Sequence, residues 1–322
     1  MGFKLDRSQM ENLLQHLRQQ YRVYAPRVFP GGGRFSDTDC IRYGEVQKLE
    51  EIEFERKSQY SFKEALLPVS ETLFYFTEDQ VKEADPPAKP ALIFLRSCDL
   101  AALQRLDQMY LHNGQEDYYY RRLQDGLKVV LLGCSHSFEN CFCVSMGTNR
   151  AEQYALSVEV KEEHYLLDCR EQEWETWLQE SGALVQEVVP AYVTTNEVKV
   201  RLPENLTAAV AQSTMWDEYD SRCINCGRCN FVCPTCSCFT MQDLYYSENG
   251  KAGERRRIWA SCMVDGFTDV AGGGSYRKKN GQRMRFKVLH KVLDFRERHG
   301  FNMCVGCGRC DDICPEYISF SH

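Results

Sequence analysis

The sequence predicts an α/β domain over residues 1–210, followed by a mostly helical domain over residues 211–322. Two short apolar runs with a helical pattern between them predict the first domain, because strand, helix and strand in that order form a parallel sheet. A rise in cysteine and basic residues, with no strand-like runs, marks the second domain. A chain of 322 residues also has the length expected for two domains.

The first domain opens with a predicted helix over Lys4–Tyr21, in which apolar residues recur at spacings of three and four. The glycine run Gly31–Gly33 then predicts a loop, since it lacks the G-x-G-x-x-G pattern of a dinucleotide site. The apolar runs Ala91–Leu95 and Val129–Leu132 predict two parallel strands that are buried on both faces. Asp99 is expected to cap the helix between them.

Further elements extend this domain toward its end. Alternating residues at Tyr154–Val160 and Tyr165–Asp168 predict a hairpin added to the sheet. Two more helices are expected at Gln172–Glu180 and Glu204–Tyr219, and we place the domain boundary near the second of them.

The composition is that of a globular protein, with 43% hydrophobic and 26% charged residues, which excludes a disordered or collagen-like chain. No apolar run reaches the length of a membrane span and no secretory signal is visible, so we expect a cytoplasmic protein that binds no membrane. The 17 cysteines are then expected to stay reduced, which leaves metal ligation or catalysis as their role. The net charge of −7 disfavours nucleic acid as a partner, although residues 251–300 carry 13 basic and 5 acidic residues.

A repeated cysteine motif is the strongest functional signal. Its spacing, C-x2-C-x2-C-x3-C followed by proline, is the bacterial run for a [4Fe–4S] cluster. Gly227 and Gly308 occupy matching positions, where the backbone must approach a cluster closely. The long segment between the two copies favours a mostly helical, two-cluster ferredoxin-like domain. The copies contain Cys223, Cys226, Cys229 and Cys233, followed by Pro234, and Cys304, Cys307, Cys310 and Cys314, followed by Pro315.

In two-cluster ferredoxins the fourth cysteine of each run binds the other cluster. We therefore predict two [4Fe–4S] clusters, each with ligands from both runs. Zinc is the alternative metal, since four cysteines also suit a tetrahedral zinc ion, but zinc ribbons use two separated C-x2-C pairs. Cluster 1 is assigned to Cys223, Cys226, Cys229 and Cys314, and cluster 2 to Cys304, Cys307, Cys310 and Cys233.

Four more cysteines predict a third site in the first domain. Cys98 and Cys134 each follow one of the buried strands, at the sheet edge where α/β proteins bind ligands. Cys141 and Cys143 lie in the loop after Cys134. The four thiols predict a third [4Fe–4S] cluster, with zinc or unligated buried thiols as alternatives.

The remaining cysteines and the basic residues have simpler interpretations. The basic residues between 251 and 300 either offset the negative charge of the clusters or form a docking face for an acidic redox partner. The remaining cysteines are interpreted as packing residues, three of them beside the first motif: Cys236, Cys238 and Cys262, together with Cys40 and Cys169.

No catalytic residues are predicted. The sequence has no P-loop, Rossmann fingerprint, H-E-x-x-H motif or Ser–His–Asp arrangement. The chain thus has ligands for electron carriers and no site for converting a substrate, which indicates a relay between other redox centres. A zinc scaffold and an independent enzyme acting on a small molecule are the alternatives from other functional classes.

The chain resembles the iron–sulfur electron-transfer subunit of anaerobic sulfite reductases over essentially its whole length. The resemblance implies a protein that relays electrons through its clusters from a flavin subunit, which takes them from NADH, to a sirohaem subunit, which reduces sulfite to sulfide. It also implies that the eight cysteines of the two runs bind the clusters. It rests on Gly33–Asp39, Glu71–Phe76, Arg96–Asp99, Gly253–Arg257, Asp269–Gly274 and Cys314–Glu316.

The iron–sulfur β subunit of soluble nickel–iron hydrogenases, also called sulfhydrogenases, is a second family with a similar layout. A chain of that family would carry electrons between a flavin subunit and a hydrogenase core. Glu254–Arg257 and the glycine run Gly272–Gly274 favour the sulfite reductase interpretation.

Overall fold

The computed structural model describes residues 1–35 and 37–321, so Ser36, in one of the motifs given above, lies outside the described residues. The described part contains both helices and strands. The strands are β1 (Gly2–Leu5), β2 (Arg22–Phe29), β3 (Cys40–Glu45), β4 (Ser70–Phe76), β5 (Val81–Glu83), β6 (Ala91–Arg96), β7 (Lys128–Leu132), β8 (Leu156–Val160), β9 (Tyr165–Cys169), β10 (Leu184–Val185), β11 (Phe239–Tyr245), β12 (Gly253–Trp259), β13 (Asp269–Val270) and β14 (Gly274–Ser275).

The helices are short apart from two of 14 residues each, α1 and α3. None of the helices in residues 1–35 and 37–321 has the length and apolarity needed to cross a bilayer. They are α1 (Arg7–Gln20), α2 (Lys63–Leu66), α3 (Ser97–Tyr110), α4 (Tyr118–Gln124), α5 (Gln172–Glu180), α6 (Tyr219–Arg222), α7 (Arg228–Phe231), α8 (Asn280–Leu289), α9 (Phe295–His299) and α10 (Arg309–Ile313). The 3-10 segments are Leu49–Glu51, Ala208–Gln212 and Thr214–Glu218, and a π-helical turn spans His290–Asp294.

The larger sheet confirms the α/β prediction for the first part of the chain. Its strands follow the order β10-β1-β9-β8-β7-β6-β2-β3. Strands β6 and β7 are parallel neighbours, with Leu92 opposite Lys128, and α3 follows β6 as predicted. Strands β8 and β9 form the expected antiparallel hairpin, and β8 joins the sheet parallel to β7. The carboxyl ends of β6, β7 and β8 therefore share one edge.

The larger sheet separates two apolar cores. Every residue of β6 is buried; Leu92 and Phe94 belong to the core under α1, and Ile93 and Leu95 to the core under α3. This explains why β6 reads as a continuous apolar run, since a strand covered on both faces has no polar side. Burying each such side chain stabilises the fold by roughly 1.5–3 kcal/mol relative to leaving it exposed.

Helix α1 confirms the predicted first helix. The Asp6 carboxylate accepts a hydrogen bond from Gln9 N at 2.8 Å, and Gln9 Oε1 accepts one from Asp6 N at 3.0 Å. This reciprocal cap satisfies two amides that a helix start leaves without partners. The buried face of α1 consists of Met10, Leu13, Leu14 and Leu17.

Two sequence expectations about helices are wrong in detail. Helix α3 begins at Ser97, so Asp99 lies in its first turn and does not cap it. The segment expected to be a helix over Glu204–Tyr219 instead forms 3-10 segments, followed by α6. The first 3-10 segment buries no side chain and the second buries only Trp216, so a long helix would have no apolar stripe to pack against the protein.

The prediction that the second part of the chain is mostly helical is not confirmed. Strands β11 and β12 form a second sheet with β4 and β5, in the order β11-β12-β4-β5. The charges of β12 concealed this strand, because Arg257 is buried only through its ion pairs with Glu71 and Asp117, both at 2.7 Å. The boundary near residue 210 stays a prediction; β12 pairs along β4 from the earlier part of the chain.

Candidate iron–sulfur sites

The two cysteine motifs adopt the same local structure. Gly227, with φ of 71°, starts α7, and Gly308, with φ of 72°, starts α10. The two short helices pack against each other. The left-handed backbone at each glycine turns the chain sharply, so that the cysteines before and after it face the same side. The repeated sequence motif is thus a repeated structural unit.

Site 1 gathers the thiols predicted for cluster 1. Three come from the first motif and the fourth comes from the second motif. Cys226 is exposed and the other three are half-buried. Burial raises the pKa of the Cys223 thiol, and the charges of Cys229, Cys226 and Cys314 raise it further. The four cysteines that line this pocket together are Cys223, Cys226, Cys229 and Cys314.

Site 2 gathers the thiols predicted for cluster 2 in a deeper pocket. Burial is the largest cause that raises the pKa of Cys307 to about 12, and the charge of Cys233 adds to it. A thiol with such a pKa stays protonated at neutral pH unless a metal takes its proton. The four cysteines predicted for cluster 2 all line this pocket: Cys233, Cys304, Cys307 and Cys310.

Site 3 brings together the cysteines of the first part of the chain, but less evenly. Cys134 and Cys141 lie close enough to raise the pKa of Cys143, after burial, which raises it most, to about 11. Cys98 lies at the start of α3, and the thiols whose charges act on it most strongly are Cys307 of site 2 and then Cys141. The structure therefore places all four predicted residues at one edge of the larger sheet, with Cys98 on the side of site 2.

Site 2 adjoins both of the other sites. Cys229 of site 1 also lines the pocket of site 2. On the other side, the Cys141 thiol donates a hydrogen bond to the Cys307 carbonyl at 3.4 Å, and Phe142 N donates to Gly306 O at 2.8 Å. The loop of site 3 is thus packed directly on the second cysteine motif.

The remaining cysteines near the first motif form thiol pairs. Cys236 and Cys233 lie close enough to shift the pKa of each other's thiol, and so do Cys238 and Cys262. The Cys262 thiol is the largest cause that lowers the pKa of Cys238 to about 6. Asn230 Nδ2 holds Cys262 Sγ at 3.0 Å. The interpretation of these residues as packing residues stays a prediction.

Two buried lysines next to the thiols of site 2 lack carboxylate partners. Lys287 and Lys291 line the pocket of site 2 and are 4% and 8% exposed. Within the part of the chain that the structure describes, no carboxylate forms a salt bridge with either of them. By contrast, the buried guanidinium of Arg309 is bound on both nitrogens by Asp99, at 2.5 and 2.8 Å. The two lysines therefore need another negative group nearby.

A buried guanidinium beside site 3 also lacks a carboxylate partner among the described residues. Arg96 is 5% exposed, and its Nη1 lies 3.5 Å from Cys134 Sγ. Its other contacts are backbone carbonyls, including that of Phe54 at 2.6 Å, and the ring of Phe138 at 4.5 Å. An oxidised cubane with four thiolates carries a net charge of about −2 and supplies the missing counter-charge. The residues around the sites thus fit [4Fe–4S] clusters.

The thiols are spread around pockets and do not converge on one point. Among residues 1–35 and 37–321, no three histidine, cysteine, aspartate or glutamate side chains are placed to hold a single metal ion. A tetrahedral zinc ion needs such a convergence. The four ligands of a cubane would each bind a separate iron, so a cubane does not need such a convergence.

The lysines and Arg96 are the functional residues that the sequence did not single out. The sequence indicated that basic residues offset cluster charge, but not which ones. The exposed Arg255 pairs instead with Asp243, at 2.7 Å. The signal that could have found the buried pair is the spacing of Lys287 and Lys291, four residues apart across α8 and the π-helical turn that follows it.

Substituting the two motif glycines with alanine should have unequal effects. Both have positive φ, which costs an alanine roughly 1–2 kcal/mol. A Cβ at Gly308 would also collide with the backbone of Asn140 and Cys141, whereas one at Gly227 would meet the movable side chain of Val264. We expect Gly308→Ala to lower the free energy of unfolding and the iron content more than Gly227→Ala, as measured by denaturant titration and iron analysis under anaerobic conditions. Equal losses in the two variants would show that this loop contact has no special role.

Comparisons with known proteins also indicate an iron–sulfur protein. Residues 222–318 match the family described as 4Fe-4S dicluster domain. The chain is 27% identical over 331 residues to subunit beta of sulfhydrogenase 2 from Pyrococcus furiosus, an alignment that covers 98% of this chain and 95% of that protein. No solved structure matches. The chain thus contains a 4Fe-4S dicluster domain. The comparisons support an iron–sulfur electron-transfer protein, but they do not identify it as a sulfite reductase subunit.

Proposed function

We propose that the chain is the iron–sulfur subunit of a soluble hydrogenase of the sulfhydrogenase type and relays electrons between a flavin subunit and a hydrogenase core. The observation that carries this proposal is the set of three adjoining thiol sites, with buried cations that lack carboxylate partners in the described ranges beside site 2 (Lys287 and Lys291) and beside site 3 (Arg96). The similarity to a sulfhydrogenase beta subunit over 98% of the chain supports the choice of complex. Of the two families that the sequence resembles, the proposed function is thus that of the hydrogenase β subunits and not that of the sulfite reductase subunits.

A place in an anaerobic sulfite reductase, between a flavin subunit and a sirohaem subunit, is the second candidate. It is favoured by the stretches Gly253–Arg257 and Asp269–Gly274. The first stretch lies in strand β12, and its charged side chains form ion pairs within the chain. Glu254 binds Arg256 at 2.6 Å, and Arg257 binds Glu71 at 2.7 Å. A scaffolding role of this kind is useful to either complex, so this stretch does not favour sulfite reductase strongly.

In the proposed relay each group of residues has one task. The cysteines of sites 1, 2 and 3 hold a [4Fe–4S] cluster each, and such a cluster supplies a one-electron couple. The apolar surroundings of site 2 exclude water, which strengthens the effect of every nearby charge. Cys226, the exposed ligand of site 1, is where a partner subunit comes closest to that site. No residue of the chain is assigned a step that makes or breaks a bond of a substrate.

Metal analysis of the chain purified without oxygen tests the clusters. We expect a brown protein, bleached by dithionite, with about twelve irons per chain for three cubanes. About eight irons would remove site 3 from the proposal and leave sites 1 and 2. A colourless protein without iron or acid-labile sulfide would overturn the relay.

Purification of the native complex tests the choice of partner. We expect the chain to come with a hydrogenase subunit, and its cluster absorbance to bleach under hydrogen gas. A sirohaem subunit in the complex, with clusters that are reoxidised by sulfite, would instead establish the second candidate.

A further inference from the structure

The side chain of Lys287 lies in an unusual place for a positive charge. It belongs to α8 and is 4% exposed. Within residues 1–35 and 37–321, its Nζ has no hydrogen-bond partner that meets normal geometry. Its one close aromatic contact is the ring of Phe320, 3.4 Å from Nζ. A cation–π contact contributes only about 2 kcal/mol even when desolvated, which is less than the cost of burying an ammonium group.

The charges that compensate Lys287 come from two different sites. It lines the pocket of site 2, which also contains Cys229 of site 1. Burial lowers the pKa of Lys287, but the charges of Cys229 and of Cys310 outweigh burial and raise the pKa overall. Cys229 is a predicted ligand of cluster 1 and Cys310 of cluster 2. The ammonium group therefore lies between the two sites.

Lys291, one helical turn further on, interacts mainly with site 2. The predicted ligands whose charges act on it most strongly are Cys233 and Cys304, both of site 2. Its Nζ donates to Thr235 Oγ1 at 2.8 Å, and that oxygen lies 3.3 Å from Cys233 Sγ. The two buried lysines thus differ in the predicted ligands whose charges act on them most strongly: those of both sites for Lys287 and those of site 2 for Lys291.

We propose that Lys287 is a shared positioning residue, a fixed positive charge that raises the reduction potentials of clusters 1 and 2 together. This inference rests on the proposed relay and assigns a regulating role to one residue of it. Reduction adds a negative charge to a cluster, and a buried cation stabilises the reduced form more than the oxidised form. Because one ammonium group lies beside both sites, it shifts the two potentials in the same direction and adds little to the free-energy difference for an electron that passes between the clusters.

Redox titration followed by electron paramagnetic resonance tests this role in the anaerobically purified full chain. In Lys287→Met we expect the midpoint potentials of both clusters to fall. In Lys291→Met we expect that of cluster 2 to fall and that of cluster 1 to stay. The exposed Lys278 provides the matched control, and Lys278→Met should leave both potentials unchanged. The signal of cluster 1 is identified by its loss in Cys226→Ser.

Charge is separated from packing by Lys287→Arg, which keeps the positive charge and should restore both potentials toward their original values. Wild-type potentials in Lys287→Met, or a shift confined to one cluster, would refute the shared role. If Lys287→Met does not assemble its clusters, Lys287→Arg becomes the decisive variant. If the arginine variant also fails to assemble them, the lysine side chain is needed for its shape. A wild-type chain that holds no iron would refute the relay itself, a result that differs from unchanged potentials in a loaded chain.

Discussion

Replacing Cys307 with serine is expected to remove one cubane, or about four irons, from each chain and to stop electron transfer through the complex. A serine hydroxyl is not ionised near neutral pH and is a poor ligand for iron compared with a thiolate. Cys307 is a predicted ligand of site 2, and site 2 adjoins both site 1 and site 3. In the proposed relay, electrons that pass between sites 1 and 3 travel through site 2, so its loss interrupts the path.

The measurement has two parts. Iron and sulfide analysis gives the loss of the cluster, and the reduction of the acceptor subunit by the flavin subunit gives the loss of transfer, which should fall to background. Acceptor turnover with an artificial donor that feeds the partner directly should persist. Cys169→Ser is the control, since Cys169 is fully buried but belongs to none of the sites. Full transfer in Cys307→Ser would contradict the relay through site 2.

Removing the carboxylate of Asp99 is expected to destabilise the fold by roughly 3–5 kcal/mol. Asp99 is fully buried and binds Arg309 through two hydrogen bonds, at 2.5 and 2.8 Å. Arg309 is also held by Ser58 O and Ser58 Oγ, both at 3.0 Å. In Asp99→Ala the guanidinium keeps these neutral contacts but loses its counter-charge, and an unpaired buried charge is the costly outcome.

Denaturant titration under anaerobic conditions measures this effect. The double variant Asp99→Ala with Arg309→Met should recover much of the lost stability, because it removes both charges together. Arg255→Ala, which breaks an exposed ion pair with Asp243, should change the free energy of unfolding little. An equal effect of Asp99→Ala and Arg255→Ala would mean that the buried pair does not hold the two parts of the chain together.

The sequence predicted what depends on local pattern and motif spacing. The parallel strands β6 and β7 follow from two apolar runs, and the grouping of Cys314 with the first motif follows from the ferredoxin arrangement. Strand β12 was missed because its ion pairs with residues far away in sequence make a charged segment suitable for a sheet. The role of Asp99 was also misjudged, since its partner Arg309 lies more than 200 residues further on. Long-range charge pairing leaves no periodic signal in the sequence.

The pairing of β12 with β4 has a consequence for how the protein is made. The edge of β4 that faces β12 has no partner until the ribosome has produced the segment up to Trp259. The thiol set of site 1 is incomplete until Cys314 has emerged. A carrier that delivers preformed cubanes would therefore find a complete acceptor only after synthesis has passed both points. Loading with iron is expected to follow translation of this region, and a newborn chain must keep its thiols reduced in the meantime.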